Sequence, residues 1–183
     1  MKKLSAGLTA IIIALGLGLL APGPASATTS YCGLVWTSLA KSNQAMSAAS
    51  ITNIRTGQHT CFDRLVFNIK GKAAGYNVRY VSKVVQDGSG QPIKLRGGAF
   101  LQVTAHSPSY DSATGQATFV PANRSEVTNV SKYQTFRQVA WAGSFEGHTT
   151  LGLGLRARLP FKVFTLAGPG TGSTLVIDVA HHW

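Results

Sequence analysis

The sequence predicts an all-β protein: a single-domain β-sandwich of about eight short strands behind a short N-terminal arm. Three observations predict it. Beyond Ile51 the apolar residues recur with period two, Gly, Pro, Asn and Asp punctuate the chain at short intervals, and no sustained helical periodicity follows.

Residues 1–27 read as a cleavable leader. Lys2 and Lys3 form a positive head, an apolar run extends from Leu8 to Leu20, and Ala25-Ser26-Ala27 supplies the small-residue cleavage pattern, so Thr28 is the expected first residue of the exported chain. The run is about 13 residues, short of the ~20 needed to cross a bilayer as a helix, and Pro22 and Pro24 close it. No cysteine follows the small residues to take a lipid, and no later stretch is long and apolar enough to span a membrane. Residues 28–50 are small and polar, with Trp36 as a single aromatic point and a modest helical tendency over 38–49. They read as an arm tied by Cys32 to a domain occupying 51–183.

Within that domain, residues 65–69 form a buried-strand run ending at Gly71. Residues 76–85 alternate Tyr76, Val78 and Tyr80 against Asn77 and Arg79, before the turn Asp87-Gly88-Ser89-Gly90. Further strands are expected at 99–105, 117–120, 135–141, 151–158, 161–166 and 174–179. The cleanest alternation runs from Leu151 to Leu159: its leucines and Ala157 share one face, and Gly152, Gly154, Arg156 and Arg158 share the other. Glycine weakens a strand, so two on one face imply a bend or a close approach by a ligand or by a large neighbour such as Trp141. Gly152, Gly154, Arg156 and Arg158, with Arg137, are therefore the candidate ligand-binding residues. Aromatic cover of the glycines is the structural alternative.

Cys32 and Cys61 are the only cysteines. In an oxidising compartment they read as one disulfide, which by closing a loop of about 30 residues adds roughly 3 to 4 kcal/mol. Two buried free thiols are the other reading. The formal net charge is +11, from 17 Lys and Arg against 6 acids, and it stays strongly positive once the two leader lysines are removed. Such a surface favours anionic partners; for an exported protein these are wall phosphate polymers, acidic headgroups and extracellular nucleic acid. The basic residues are dispersed, so solubility accounts for them equally well.

Motifs for chemistry are sparse. His59, Cys61, His106, His148, His181 and His182 show no metal-ligand spacing, and His181 and His182 would point to opposite faces of a strand, so no metal or other cofactor is expected. Of the six acids, Asp87 and Asp111 sit in turns. Asp63, Glu146 and Asp178 have apolar neighbours and read as structural ion-pair members, with Arg64, Arg137, Arg156 and Arg158 as possible partners. There is no nucleophile elbow or phosphate loop, and no interleaving of aromatics with basic residues that would mark specific nucleic-acid binding.

Several segments resemble one family: Asn53-Ile54-Arg55-Thr56-Gly57-Gln58-His59-Thr60-Cys61-Phe62-Asp63-Arg64-Leu65-Val66-Phe67; Val78-Arg79-Tyr80-Val81; Gly143-Ser144-Phe145-Glu146-Gly147; Gly152-Leu153-Gly154; Pro160-Phe161-Lys162-Val163; and Leu175-Val176-Ile177-Asp178-Val179. Together the chain resembles the AMIN-like domain proteins exported by high-GC Gram-positive bacteria. The resemblance implies a β-sandwich of the kind that, in AMIN domains proper, directs wall amidases and secretion components to peptidoglycan. It carries over no catalytic residue.

The expected function is a secreted, non-catalytic cell-envelope-binding module for peptidoglycan or attached anionic wall polymers, released or retained at the wall. A small wall hydrolase using Asp63 or Glu146 is the enzyme alternative. An interaction module for another exported protein, offering its glycine strand as an edge, is the third reading.

Overall fold

A computed structural model describes residues 31–183 except Ala74 and Pro169; the expected leader lies outside the described residues. The chain is an all-β sandwich. Its strands are β1 (Lys41–Asn43), β2 (Ser50–Gln58), β3 (Phe62–Lys70), β4 (Tyr76–Val81), β5 (Val84–Val85), β6 (Pro92–Ile93), β7 (Ala99–Ala105), β8 (Phe136–Phe145), β9 (His148–Leu155), β10 (Phe161–Ala167) and β11 (Ser173–Ala180). They form a five-stranded sheet in the order β1-β4-β7-β9-β8, a four-stranded sheet β10-β11-β3-β2, and the small β5-β6 ribbon. All pairings are antiparallel.

Alternation explains why the two large sheets face each other. Val78, Leu101, Val103, Val139, Leu151, Leu153 and Leu155 from one sheet meet Leu65, Phe67, Ile69, Leu175, Ile177 and Val179 from the other in one apolar cluster. Burying such side chains contributes about 1.5 to 3 kcal/mol each.

β2 breaks the rule that inward residues lie two apart. A register shift between Ile51 and Asn53 inserts one residue, and the bulge turns both Ile51 and Ile54 into the core. That explains why no apolar alternation marks this strand in the sequence.

Three sequence expectations are corrected. The helical tendency over 38–49 is not realised: β1 forms there and pairs with β4, Lys41 opposite Val78, because this Ala- and Ser-rich segment has no stripe of large apolar residues to bury as a helix. Residues 117–120 are not a strand beyond the isolated bridge Tyr110–Ala117; the Thr118 and Phe119 amides both donate to the Ser109 carbonyl in a closed loop. The run over 76–85 divides, with β4 ending at Val81 and β5 beginning at Val84. No helix among the described residues is long and apolar enough to cross a membrane.

Candidate ligand-binding surfaces

The glycine strand is covered. β9 lies between β7 and β8, so it offers no free edge to a partner. The chain around β5 and β6 folds over its outer face. A Cβ on Gly154 would stand 2.0 Å from the Arg96 carbonyl oxygen, and one on Gly152 would stand 2.9 Å from Leu95 Cδ1 and 3.2 Å from Val84. The close neighbour is this ribbon rather than Trp141. We therefore expect Gly154→Ala to cost about 1 to 3 kcal/mol and Gly152→Ala less, since a leucine tip yields more readily than a backbone carbonyl. Chemical denaturation of both variants checks the order, and equal costs would contradict it.

The arginines assigned with those glycines tie chain segments together. β9 ends at Leu155, so Arg156 and Arg158 lie beyond the strand. The Arg156 guanidinium donates to the His181 carbonyl. Arg158 lies 4.8 Å from the Tyr80 ring centroid and donates to Ser38 at 3.3 Å, beside a shallow depression shared with Phe100. Below it the Tyr80 hydroxyl donates to the Leu159 carbonyl (2.8 Å) and accepts from its amide (2.9 Å), and burial pushes the phenol up to about 12. Arg137 donates to the Tyr133, Gln134 and Phe136 carbonyls. An open groove built from Gly152, Gly154, Arg156, Arg158 and Arg137 is not present.

The acidic residues divide. Asp178 is buried and receives a bidentate pair from Arg64 at 2.6 and 2.8 Å across the β11–β3 register. Asp63 is fully buried but has no arginine partner. It accepts from the Thr135 amide (2.7 Å), the Phe136 amide (3.1 Å) and His181 Nε2 (3.1 Å). Glu146 makes no ion pair among the described residues. It occupies the β8–β9 turn at φ 47° with Gly147 at φ 80°, the paired positive values of a tight hairpin turn. Cys32 and Cys61 form a disulfide.

Two surfaces remain. The first is electrostatic: of the described lysines and arginines only Arg64, with Asp178, and Arg96, with Glu126, pair with a carboxylate, while Asp63 is buried in the interior. The other described lysines and arginines carry no carboxylate partner. On the outer face of the four-stranded sheet, one cross-strand row runs Lys162, Asp178, Arg64 and another Phe164, Val176, Val66, Arg55.

The second surface is a cleft of about 410 Å³, missed by sequence reasoning because its parts lie far apart in the chain. Its walls are Trp141 and Phe145 of β8, Tyr110, Phe119 and Arg124 of the long β7–β8 connection, and Asp87 of the β5–β6 loop. Local chemistry fixes them. The Trp141 amide donates to the Arg124 carbonyl (2.7 Å), the Ser109 amide to Ser144 Oγ (2.9 Å), and the Gly147 amide to the Tyr110 hydroxyl (3.0 Å). A second bulge between Trp141 and Gly143, with Gly143 at φ 132°, lets the Asp87 amide reach the Ala142 carbonyl at 2.9 Å. A Cβ on Gly143 would stand 3.2 Å from Asp87 Cβ.

Asp87, read from sequence as a turn residue, carries an oxygen, Oδ2, that is buried without a hydrogen-bond partner. Burial pushes its carboxyl above the ordinary aspartate range, against the pull of nearby Thr150 and His148. The folded protein therefore holds this proton to higher pH than the unfolded chain. The resulting stability is complete below about pH 4 and lost as pH rises through the elevated folded value. Asp87→Asn is expected to melt higher than the parent at neutral pH, with the gain vanishing in acid. A variant less stable at pH 7 would contradict this.

Two antiparallel sheets closed over one core, with an aromatic-walled cleft beside an edge strand, define an antiparallel β-sandwich. The chain belongs to the AMIN-like domain family, whose model matches residues 49–181. That span contains every strand except β1. No curated protein and no solved structure matches the chain.

Proposed function

We propose that the protein is an exported, non-catalytic cell-envelope-binding module whose positive surface engages peptidoglycan or its attached anionic polymers. The observation that carries this reading is a surface on which, apart from Arg64 and Arg96, the described lysines and arginines have no carboxylate partner. Attraction of this kind is long-ranged and screened by salt. Membership of the AMIN-like family supports the envelope as the setting. The hydrolase alternative loses force because Asp63 is inaccessible and spends both oxygens on hydrogen bonds, while Glu146 stands in an exposed turn.

The test is co-sedimentation of the purified chain from Thr28 onward with insoluble cell wall, over a salt series. The expected result is pelleting at low salt, progressive release as salt rises, and weaker pelleting with wall stripped of its anionic polymers if these are the ligand. Absence of pelleting at low salt would overturn the proposal.

A further inference from the structure

We propose that the cleft between β8, the β5–β6 loop and the β7–β8 connection is a discrete binding site for a pyranose sugar that carries a carboxylate. This goes beyond charge attraction at the surface, because it names a built site with its own ligand chemistry. The cleft has the volume of a small-ligand site and continues into a recess of about 190 Å³ that shares Asp87, Arg124, Trp141 and Gly143. Together they offer room for one or two sugar rings.

Three features of the wall select the ligand. Trp141, Phe119, Tyr110 and Phe145 give an aromatic lining, against which the C–H face of a pyranose packs. The Trp141 and Phe119 rings lie 5.7 Å apart, supporting one another as one wall. Asp87 lines the cleft, and its Oδ2 is buried in the wall with no donor among the described residues; turned toward a bound sugar, the carboxylate gains a hydroxyl as that donor. Arg124 is exposed and makes no side-chain hydrogen bond or ion pair among the described residues; its planar fork fits a carboxylate in two parallel hydrogen bonds. A neutral sugar leaves Arg124 unused, and an apolar acid leaves Asp87 unsatisfied. A sugar acid meets all three.

The wall is preformed. The Trp141 amide and Arg124 carbonyl are bonded to each other, and Tyr110 is fixed through Gly147, so binding need not first order these segments.

Titration followed by amide chemical shifts tests the site. The probes are glucuronic acid and N-acetylmuramic acid, whose carboxylates differ in attachment, with glucose and N-acetylglucosamine as their neutral counterparts. At least one acid is expected to bind about tenfold more tightly than its neutral counterpart, with shifts centred on Trp141 and Arg124. Which acid binds better identifies the source of the carboxylate. Arg124→Gln, an exposed substitution, is expected to abolish the preference for the acid while leaving the melting temperature unchanged. Trp141→Ala is expected to weaken every sugar.

No binding by any probe at millimolar concentration, equal binding of acid and neutral sugars, or an acid preference that survives Arg124→Gln would overturn the proposal. These outcomes are separable from the envelope reading. Wall pelleting with no sugar binding removes the cleft alone, and sugar binding without wall pelleting removes the charged-surface reading alone.

Discussion

Replacing Asp63 with alanine is expected to cost about 3 to 5 kcal/mol, the largest effect of any single substitution considered for this chain. The carboxylate is fully buried and accepts from the Thr135 and Phe136 amides and from His181 Nε2. Alanine leaves all three donors buried without an acceptor, each at about 1 to 3 kcal/mol before relaxation. The damage extends further, because this residue joins three segments. Thr135 precedes β8 and Phe136 begins it, while His181 directly follows β11, its amide donating to the Cys61 carbonyl at 3.0 Å. Asp63→Asn should be milder: its oxygen can still accept from the backbone amides, but its NH₂ then opposes the His181 donor. Guanidinium denaturation of both variants checks this. Asp63→Ala within about 1 kcal/mol of the parent would show that the network is dispensable.

Removal of the disulfide, by reduction or by Cys32→Ser with Cys61→Ser, is expected to cost about 3 to 4 kcal/mol. The bond links residues 29 apart, with Cα atoms 6.1 Å from each other, and fastens the N-terminal segment to the β2–β3 turn. Other contacts hold the same segment. Trp36 and Phe62 rings lie 5.5 Å apart, Tyr31 and His182 rings 4.8 Å, the Phe161 amide donates to the Thr37 carbonyl, and Lys41 sits 3.8 Å over the Phe161 ring. The sandwich should therefore still fold after reduction, with a lower midpoint and an unchanged β-sheet spectrum. A loss below about 1 kcal/mol would mean that these packing contacts alone fix the segment.

What could be read from the sequence was set by how local the governing physics is. β7 occupies the expected residues 99–105 and β11 extends the expected 174–179 by one residue at each end, because period-two burial against a single core is a local pattern. β2 was hidden by its bulge, which places Ile51 and Ile54 three apart on one face. The glycines of β9 did announce a close approach. The approaching element, the ribbon that brings Arg96 and Leu95, lies well upstream, and nothing in either segment names the other.

The ion pairs show the same limit. Arg64 and Asp178 were marked by carboxylate and arginine types, but the choice of His181 for Asp63 depends on where the last strand ends. The cleft was least legible. Asp87, Tyr110, Arg124 and Trp141 share no spacing, and three of them lie in connections whose path is set by the packed sheets. The informative trace was the length of the β7–β8 connection, since long ordered connections in compact folds often carry function.

The central claim is attachment without catalysis, and one incubation tests both halves. The purified chain is held with insoluble wall at low salt, and protein in the pellet and soluble wall fragments in the supernatant are measured over time. The account predicts protein in the pellet, its return to solution on adding salt, and fragments no higher than in protein-free wall. Fragments accumulating with time, or protein left in the supernatant at every salt concentration, would contradict it.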